Sequence, residues 1–148
     1  MCKEYRDVFV ELWNRWQVVP EERRVPFPPI AETLKMKLFY SEDGRGASHC
    51  FYVPEKDWSI AGFTIYRPEG FVVIARAWVN QEFKGKGLGK FLAAMRVAAF
   101  RKLIIEEPCA ENGLEMICRC APTNEKQIHI LQSCGWEKLS EWIWRVKK

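Results

Sequence analysis

The sequence has no long hydrophobic run and no apolar leader. None of its windows reaches the ~18 uncharged apolar residues of a membrane-spanning helix. The first residues, MCKEYRDVF, carry charges where a signal peptide would be apolar. We therefore expect no membrane association and a cytoplasmic location.

The cysteines lack the spacing of a metal site or a disulfide framework. No CxxC pair occurs among the six, which are Cys2, Cys50, Cys109, Cys118, Cys120 and Cys134. In a chain without an export signal, such cysteines are more often reduced core thiols than disulfides. Cys118 and Cys120 could share a metal with Cys134 or His129 from one face of a strand, but the missing CxxC pair disfavours zinc. We expect no metal.

A strong charge of either sign is also missing. The formal net charge of +4 and the pI of about 8.8 favour an anionic small molecule and fall short of a basic nucleic-acid arm or a polybasic membrane anchor. The cations from Lys84 to Lys102 circle a predicted helix and do not form one stripe, so nucleic acid is not an expected partner. With 148 residues, 48% of them hydrophobic, the chain can bury one core. We expect a single domain over residues 1–148, as a monomer or homodimer.

Residues 1–47 are expected to form an N-terminal part that differs in pattern from the rest of the chain. Aromatic and apolar residues at helical spacing predict an amphipathic helix over residues 3 to 17. Four prolines in VVPEERRVPFPPI then indicate an irregular connection. Residues 30 to 40 fit either a helix opened by Pro29 or a strand, and the alternation in their second half favours a strand. Because this part matches no motif and such loops often line substrate sites, we expect it to face a substrate or a partner protein.

Residues 48–148 show the pattern of a mixed domain. The runs HCFYV, SIAGFTIY and FVVIARAWV, separated by turn residues, predict an antiparallel meander. Apolar residues on one side then predict a helix from about residue 87 to 106. LEMICRC predicts a buried strand, Thr123 or Asn124 can cap a helix through about Ser133, and WEKLSEWIWRV alternates as a final strand.

The stretch FKGKGLGK, just before the predicted long helix, combines three glycines with three lysines. Glycines there let a ligand approach the backbone, and the lysines attract an anion. A dinucleotide fingerprint would need glycine at position 90, where the chain has Lys90. A Walker loop would need glycine at position 84 and a hydroxyl residue at position 91, where the chain has Lys84 and Phe91. The remaining interpretation is a phosphate cradle of another type.

The loop K84-G85-K86-G87-L88-G89, after a strand ending in W78-V79, resembles the pyrophosphate loop of the GNAT acyltransferases. The stretch N124-EKQIHILQSCGWEKL is similar to the second segment of that family, and the order of elements from about residue 48 to 147 also matches. The resemblance implies an α/β (α+β) fold, with a mixed, mostly antiparallel sheet flanked by helices and splayed at a cofactor cleft. It implies acetyl-CoA or CoA as the ligand. The residues expected to contact it are Ala77, Trp78, Val79, Lys84, Gly85, Lys86, Gly87, Leu88, Gly89, Lys90, Asn124 and Leu131.

The family's usual catalytic groups are not found at the matching positions. Val73 stands where a strand carboxylate often acts as base, and Leu131 stands where a helix tyrosine often acts as acid. In a helix counted from Asn124, the His129 side chain points away from the side of Asn124. His129 is therefore expected to be a partly buried helix residue. Two hypotheses therefore stay open. One is an N-acetyltransferase acting on a primary amine of a small molecule or a protein, and the other is a weakly catalytic CoA-binding protein that modulates a partner protein.

Overall fold

The structure is a computed structural model that describes residues 2–4, 34–68, 70, 72–106 and 113–147. Its strands are β1 (Cys2–Glu4), β2 (Lys35–Tyr40), β3 (Gly46–Tyr52), β4 (Ala61–Tyr66), β5 (Val72–Val79), β6 (Glu115–Arg119), β7 (Trp136–Lys138) and β8 (Ile143–Val146). Its helices are α1 (Leu88–Glu106) and α2 (Glu125–Ser133), and a short 3-10 helix spans Gln81–Phe83. The chain therefore forms a mixed α/β domain, as predicted.

All of the strands belong to one sheet, in the order β1-β2-β3-β4-β5-β6-β8-β7. The neighbours pair antiparallel except β5 and β6, which run parallel. β3 to β5 form the expected meander. β2, in the stretch whose second half favoured a strand, extends it by one antiparallel strand across the tight turn closed by Ser41 and Gly46. The predicted mixed, mostly antiparallel sheet is confirmed.

The parallel pair is short, and this opens the sheet near its middle. β5 and β6 pair only at Val72 with Glu115, Val73 with Met116, and Ile74 with Ile117. From Ala75 to Val79, β5 continues without a partner strand on this side among the described residues. The two strands diverge from this point, and the gap between them is the splay expected from the sequence.

The core lies between α1, α2 and one face of the sheet. α1 packs against β4, β5 and α2. Every residue of α1 from Phe91 to Phe100 is buried, although the sequence pattern indicated only one apolar side. The run FLAAMRVAAF carries a single charge, so the helix can be enclosed on all sides at the cost of burying Arg96 alone.

Two predictions of secondary structure are wrong. Lys3 and Glu4 belong to β1 and not to a helix over residues 3 to 17; the rest of that helix and the proline-rich connection lie outside the described residues. The predicted final strand is a hairpin of β7 and β8, closed by hydrogen bonds from the N–H of Leu139 and Ser140 to the carbonyl of Ile143. Trp142 continues the alternation of Trp144 and Val146 back into the turn, and Leu139 is a second apolar residue there, so the sequence conceals the turn.

Candidate functional site

A cleft of about 1260 Å³ opens where β5 and β6 diverge. Its walls are the second half of β5 from Ile74 to Val79, the loop leading into α1, the end of β6, and the start of α2, with Trp142 and Ile143 at one edge. A smaller hollow of about 350 Å³ lies beside β7, away from the glycine loop. The larger cleft is therefore the candidate site.

The glycine loop adopts a backbone that requires glycine at two places. Gly85 and Gly87 have φ values of 84° and 81°, in the left-handed region that side chains other than glycine rarely adopt. The loop ends at Leu88, where α1 begins, so the free N–H groups of its first turn lie at the cleft wall with Leu88, Gly89 and Lys90. A helix N-terminus of this kind attracts anions through its unpaired amides and its dipole.

The start of the loop is fixed to the rest of the fold. The Asn80 side chain accepts a hydrogen bond from the Glu82 N–H at 3.2 Å and so caps the 3-10 helix. Phe83 is buried, and its ring meets the Trp58 ring edge-on at a centroid distance of 6.3 Å. The Nζ of Lys56 lies 3.5 Å from the Glu82 carboxylate. The phosphate-binding loop expected from the sequence therefore leaves the end of β5 along a defined path.

The structure brings most of the predicted ligand-contacting residues to this one cleft. The residues that line it are Ala77, Trp78, Val79, Lys84, Gly85, Gly87, Leu88, Gly89, Lys90 and Asn124. Lys86 is exposed in the loop but does not line the cleft. Leu131 is fully buried in the core and does not line it either.

The two positions matched to the family's acid and base are both in the core. Val73 has no exposed surface and pairs with Met116 in the closed part of the sheet. By contrast, His129 is exposed and lines the cleft, so the expectation of a partly buried residue is wrong. The helical angle between Asn124 and His129 misplaces His129 because Asn124 is the N-cap of α2 and has non-helical backbone angles of φ −86° and ψ 74°. An angle counted from a residue outside the helix does not give the side-chain directions inside it.

The described lining of the cleft is cationic. It contains six cationic side chains and no aspartate or glutamate; the six are Arg76, Lys84, Lys90, Arg96, Arg119 and Lys126. A concave surface lined by charges of one sign raises the local concentration of ions of the opposite sign. The cleft is suited to an anionic ligand.

Arg96 is the one cation of this set that is buried, with 2% of its surface exposed. Its Nε donates to the Leu92 carbonyl at 3.3 Å, and its guanidinium lies 5.1 Å from the Trp136 ring centroid. The other end, Nη2, has no hydrogen-bond partner among the described residues. Burial lowers the pKa of Arg96, and burial raises the pKa of the neighbouring Cys118 thiol to about 11. The thiol is therefore neutral and does not balance the charge.

The sequence interpretation did not assign Arg76, Arg96, Arg119, Lys126 or Trp142 to the site. Two of them did leave a signal, because Arg76 interrupts the run FVVIARAWV and Arg96 is the lone charge in FLAAMRVAAF. A charge inside an apolar run is a candidate for a site, since burying it is costly unless it is paired.

Among the described residues, no group of three His, Cys, Asp or Glu side chains could hold a metal ion. None of the helices described combines the length and the apolar composition needed to cross a bilayer.

Solved structures with a similar fold include acetyltransferases. A chimera of the spermidine N-acetyltransferase SpeG from Vibrio cholerae and hSSAT matches 71% of this chain and 69% of its own, with 12% identity and a TM-score of 0.55. RimJ from Mycobacterium smegmatis, in complex with CoA-disulfide, matches 70% of this chain and 54% of its own, with 16% identity and a TM-score of 0.51. A GNAT-family acetyltransferase from Bacillus anthracis matches 68% of this chain and 65% of its own, with 12% identity and a TM-score of 0.50. The chain thus spans only part of the length of these proteins.

A comparison with characterised protein sequences gave no significant match. The model of the acetyltransferase (GNAT) family, however, matches residues 16–136, which is most of the chain. The matched residues include β5 and β6, which border the cleft, the glycine loop and α2. The chain therefore belongs to the GNAT acetyltransferase family.

Proposed function

We propose that the protein transfers an acetyl group from acetyl-CoA to a primary amine of a small molecule or a protein. The observation that carries the proposal is the cleft between β5 and β6, which combines an unpaired strand edge with a glycine loop at the N-terminus of α1. Membership in the acetyltransferase family supports it. So does the CoA-disulfide complex of the RimJ structure, which shares this fold.

The residues of the cleft fit CoA. The amides at the start of α1, together with Lys84 and Lys90, would hold the pyrophosphate, with Lys86 adding charge from the loop. The edge at Ala77, Trp78 and Val79 would offer main-chain groups to the pantetheine arm, as an unpaired strand does to a peptide. Asn124 would border the ligand from α2, and Leu131 would support that helix from the core.

The chemistry follows from an activated acyl donor. Acetyl-CoA, when bound, supplies a thioester whose carbonyl carbon accepts a nucleophile. The neutral acceptor nitrogen forms the new C–N bond and the C–S bond breaks. The proton that the nitrogen loses passes through solvent to the leaving thiolate, which departs as the thiol. The side chains of the cleft bind and orient the two reactants, and this orientation is itself a large part of such a rate enhancement.

The described cleft offers no carboxylate as a general base. Its cations act on the acceptor in another way, because nearby positive charge lowers the pKa of a bound ammonium group and favours the neutral, nucleophilic amine. We therefore expect slow turnover that rises with pH and has no plateau near neutrality. Thiol release from acetyl-CoA, measured over a panel of amines and a range of pH, checks this expectation. A plateau near neutral pH would reveal a catalytic base outside the residues considered.

Charge reversal tests the ligand assignment independently of turnover. The double variant Lys84→Glu with Lys90→Glu places two carboxylates at the proposed phosphate position, and we expect it to weaken CoA binding by about a hundredfold, or roughly 3 kcal/mol. The matched control is Lys35→Glu with Lys147→Glu, which changes the net charge equally at two exposed residues outside the cleft. Calorimetry with CoA measures both. Absence of CoA binding by the unmutated protein would refute the proposed function.

A second candidate is a CoA-binding protein that modulates a partner. The observation that favours it is the burial of Val73 and Leu131, which removes the family's usual acid and base positions from the cleft. Such a protein would bind CoA, transfer no acetyl group to any amine, and retain one partner protein stably. Transfer to even one amine of the panel at a rate that depends on the protein would exclude this candidate.

A further inference from the structure

Two arginines lie at matching positions on the two sides of the opening between β5 and β6, and both line the cleft. The last paired residues are Ile74 and Ile117, and the strands run parallel, so two residues further along each strand lie Arg76 and Arg119. Alternation along a strand puts both on the face of the sheet opposite α1. The intervening Ala75 and Cys118, on the α1 face, are 1% and 4% exposed.

Neither arginine forms an ion pair with a described residue, although this face does provide carboxylates elsewhere. One strand away, Arg145 lies between two of them: its Nη1 donates to Glu115 at 3.0 Å and its Nε donates to Glu137 at 3.0 Å. The Arg119 guanidinium lies over the ring of Trp142, with a distance of 5.8 Å from the guanidinium carbon to the ring centroid. Two cations directly across a strand gap repel each other unless an anion lies between them.

Two tryptophans border the same opening. Trp78 and Trp142 both line the cleft and are 36% and 46% exposed. The Trp78 ring lies close to Gly62 in the neighbouring strand, where a Cβ atom would come within 2.4 Å of it. The ring is thereby packed against the sheet and remains partly exposed at the cleft. Such rigid aromatic surfaces suit a planar or apolar ligand body.

We propose that the acceptor is an amine carrying an anionic group, a carboxylate or a phosphate, which Arg76 and Arg119 bind on the face opposite α1. The inference rests on the proposed acetyl transfer and assigns the substrate class of that site. The glycine loop and Lys84 remain the donor's side of the cleft, so donor and acceptor enter from opposite faces of the sheet. Guanidinium groups are suited to this task because their N–H groups match the geometry of carboxylate and phosphate oxygens. Acceptors that are only cationic are disfavoured by the same two side chains.

Acceptors that differ only in the anionic group provide the test. Phenylalanine is compared with phenethylamine, and O-phosphoethanolamine with ethanolamine, by thiol release from acetyl-CoA. In at least one pair, we expect kcat/KM for the amine with the anionic group to exceed kcat/KM for the amine without it by about tenfold or more. The first pair reports a carboxylate and the second a phosphate. The absence of any preference for the anionic member in both pairs would overturn the inference.

Arg76→Gln and Arg119→Gln test the residues themselves. Each should raise KM for the preferred anionic acceptor by about 10- to 100-fold. KM for the counterpart that lacks the anionic group should stay within about twofold or fall, because one repelling cation is removed. The control is Arg45→Gln, an exposed arginine in the turn between β2 and β3, which should change neither value. If the glutamine variants keep the preference for the anionic acceptor, the assignment is wrong.

A binding measurement separates this inference from the proposed function. N-acetylphenylalanine and N-acetylphenethylamine are titrated into the CoA-loaded protein, and so are the acetylated forms of the second pair. A protein that binds CoA but binds the anionic and uncharged probes equally would contradict the acceptor assignment and leave the CoA site intact. A protein that binds no CoA would contradict the proposed function instead.

Discussion

His49 is expected to make the fold sensitive to mild acid. It lies on β3, is 8% exposed, and stacks on Phe63 of β4 with ring centroids 4.3 Å apart. Burial, together with the positive charge of Lys102, lowers the pKa of His49 from 6.5 to about 4. Its Nδ1 has no hydrogen-bond partner in the part of the chain that the structure describes. The folded protein therefore holds this imidazole neutral under conditions in which the unfolded chain would protonate it.

The sign and size of the effect follow from the two pKa values. Because the folded pKa lies below the unfolded one, the stability is fully present above about pH 6.5 and is lost as the pH falls toward about 4. At about 1.4 kcal/mol per pKa unit, the full loss is roughly 3 kcal/mol. Between about pH 8 and about pH 5 the change in the free energy of unfolding is roughly 2 kcal/mol from this residue alone.

Urea unfolding at these two pH values measures the effect. With a urea dependence of about 1 to 3 kcal/mol per molar, the His49 contribution lowers the midpoint by roughly 1 M at the lower pH. His49→Gln removes this part of the loss, since glutamine does not titrate. His129→Gln is the matched control, because His129 is the other histidine and is exposed on α2. If His49→Gln and the unmutated protein lose the same stability between the two pH values, the assignment of the acid sensitivity to His49 is wrong.

Two more predictions concern the packing around the cleft. In Gly62→Ala the new Cβ would lie 2.4 Å from the Trp78 ring and 2.5 Å from the His49 carbonyl oxygen. We expect the free energy of unfolding, measured in urea, to fall by about 1 to 3 kcal/mol. An unchanged urea midpoint would contradict the close packing. In Arg96→Met a buried cation without a carboxylate partner is replaced by an apolar side chain, so the free energy of unfolding should stay the same or rise by about 1 to 4 kcal/mol. A large loss of stability in that variant would show that Arg96 is compensated within the fold.

Much of the fold follows from local patterns that tertiary packing does not oppose. β3 to β5 are together rich in β-branched and aromatic residues and are separated by turn residues, so propensity and burial agree on strands. Asn124 caps α2 as expected, its side chain accepting from the Gln127 N–H at 3.2 Å. The position of the glycine loop could also be predicted, because glycine adopts the positive φ values seen at Gly85 and Gly87 more readily than other residues do.

The cleft itself depends on pairing over long distances and was harder to predict from the residues. Which cations meet is fixed by the parallel register of β5 and β6, in strands separated along the chain by the whole of α1. Nothing local to Arg76 indicates Arg119 as its neighbour. The family resemblance gave the position of the splay but not the side chains at its outer face, because those alternate with the core residues of the same strands.

The cationic lining gives one physical account of how the proposed transfer could proceed without an acid in the described cleft. A general base typically contributes about 10² to 10⁴ in rate. A neighbouring cation that lowers the pKa of an amine near 10 by about one unit raises the neutral fraction of that amine about tenfold at neutral pH. The cations would therefore supply only part of what a general base contributes, so turnover stays slow and still rises with pH. Arg76 and Arg119 would thus bind the anionic end of the acceptor and also favour the loss of a proton at its amine, and for that second role an arginine is better suited than a lysine because it stays protonated at high pH.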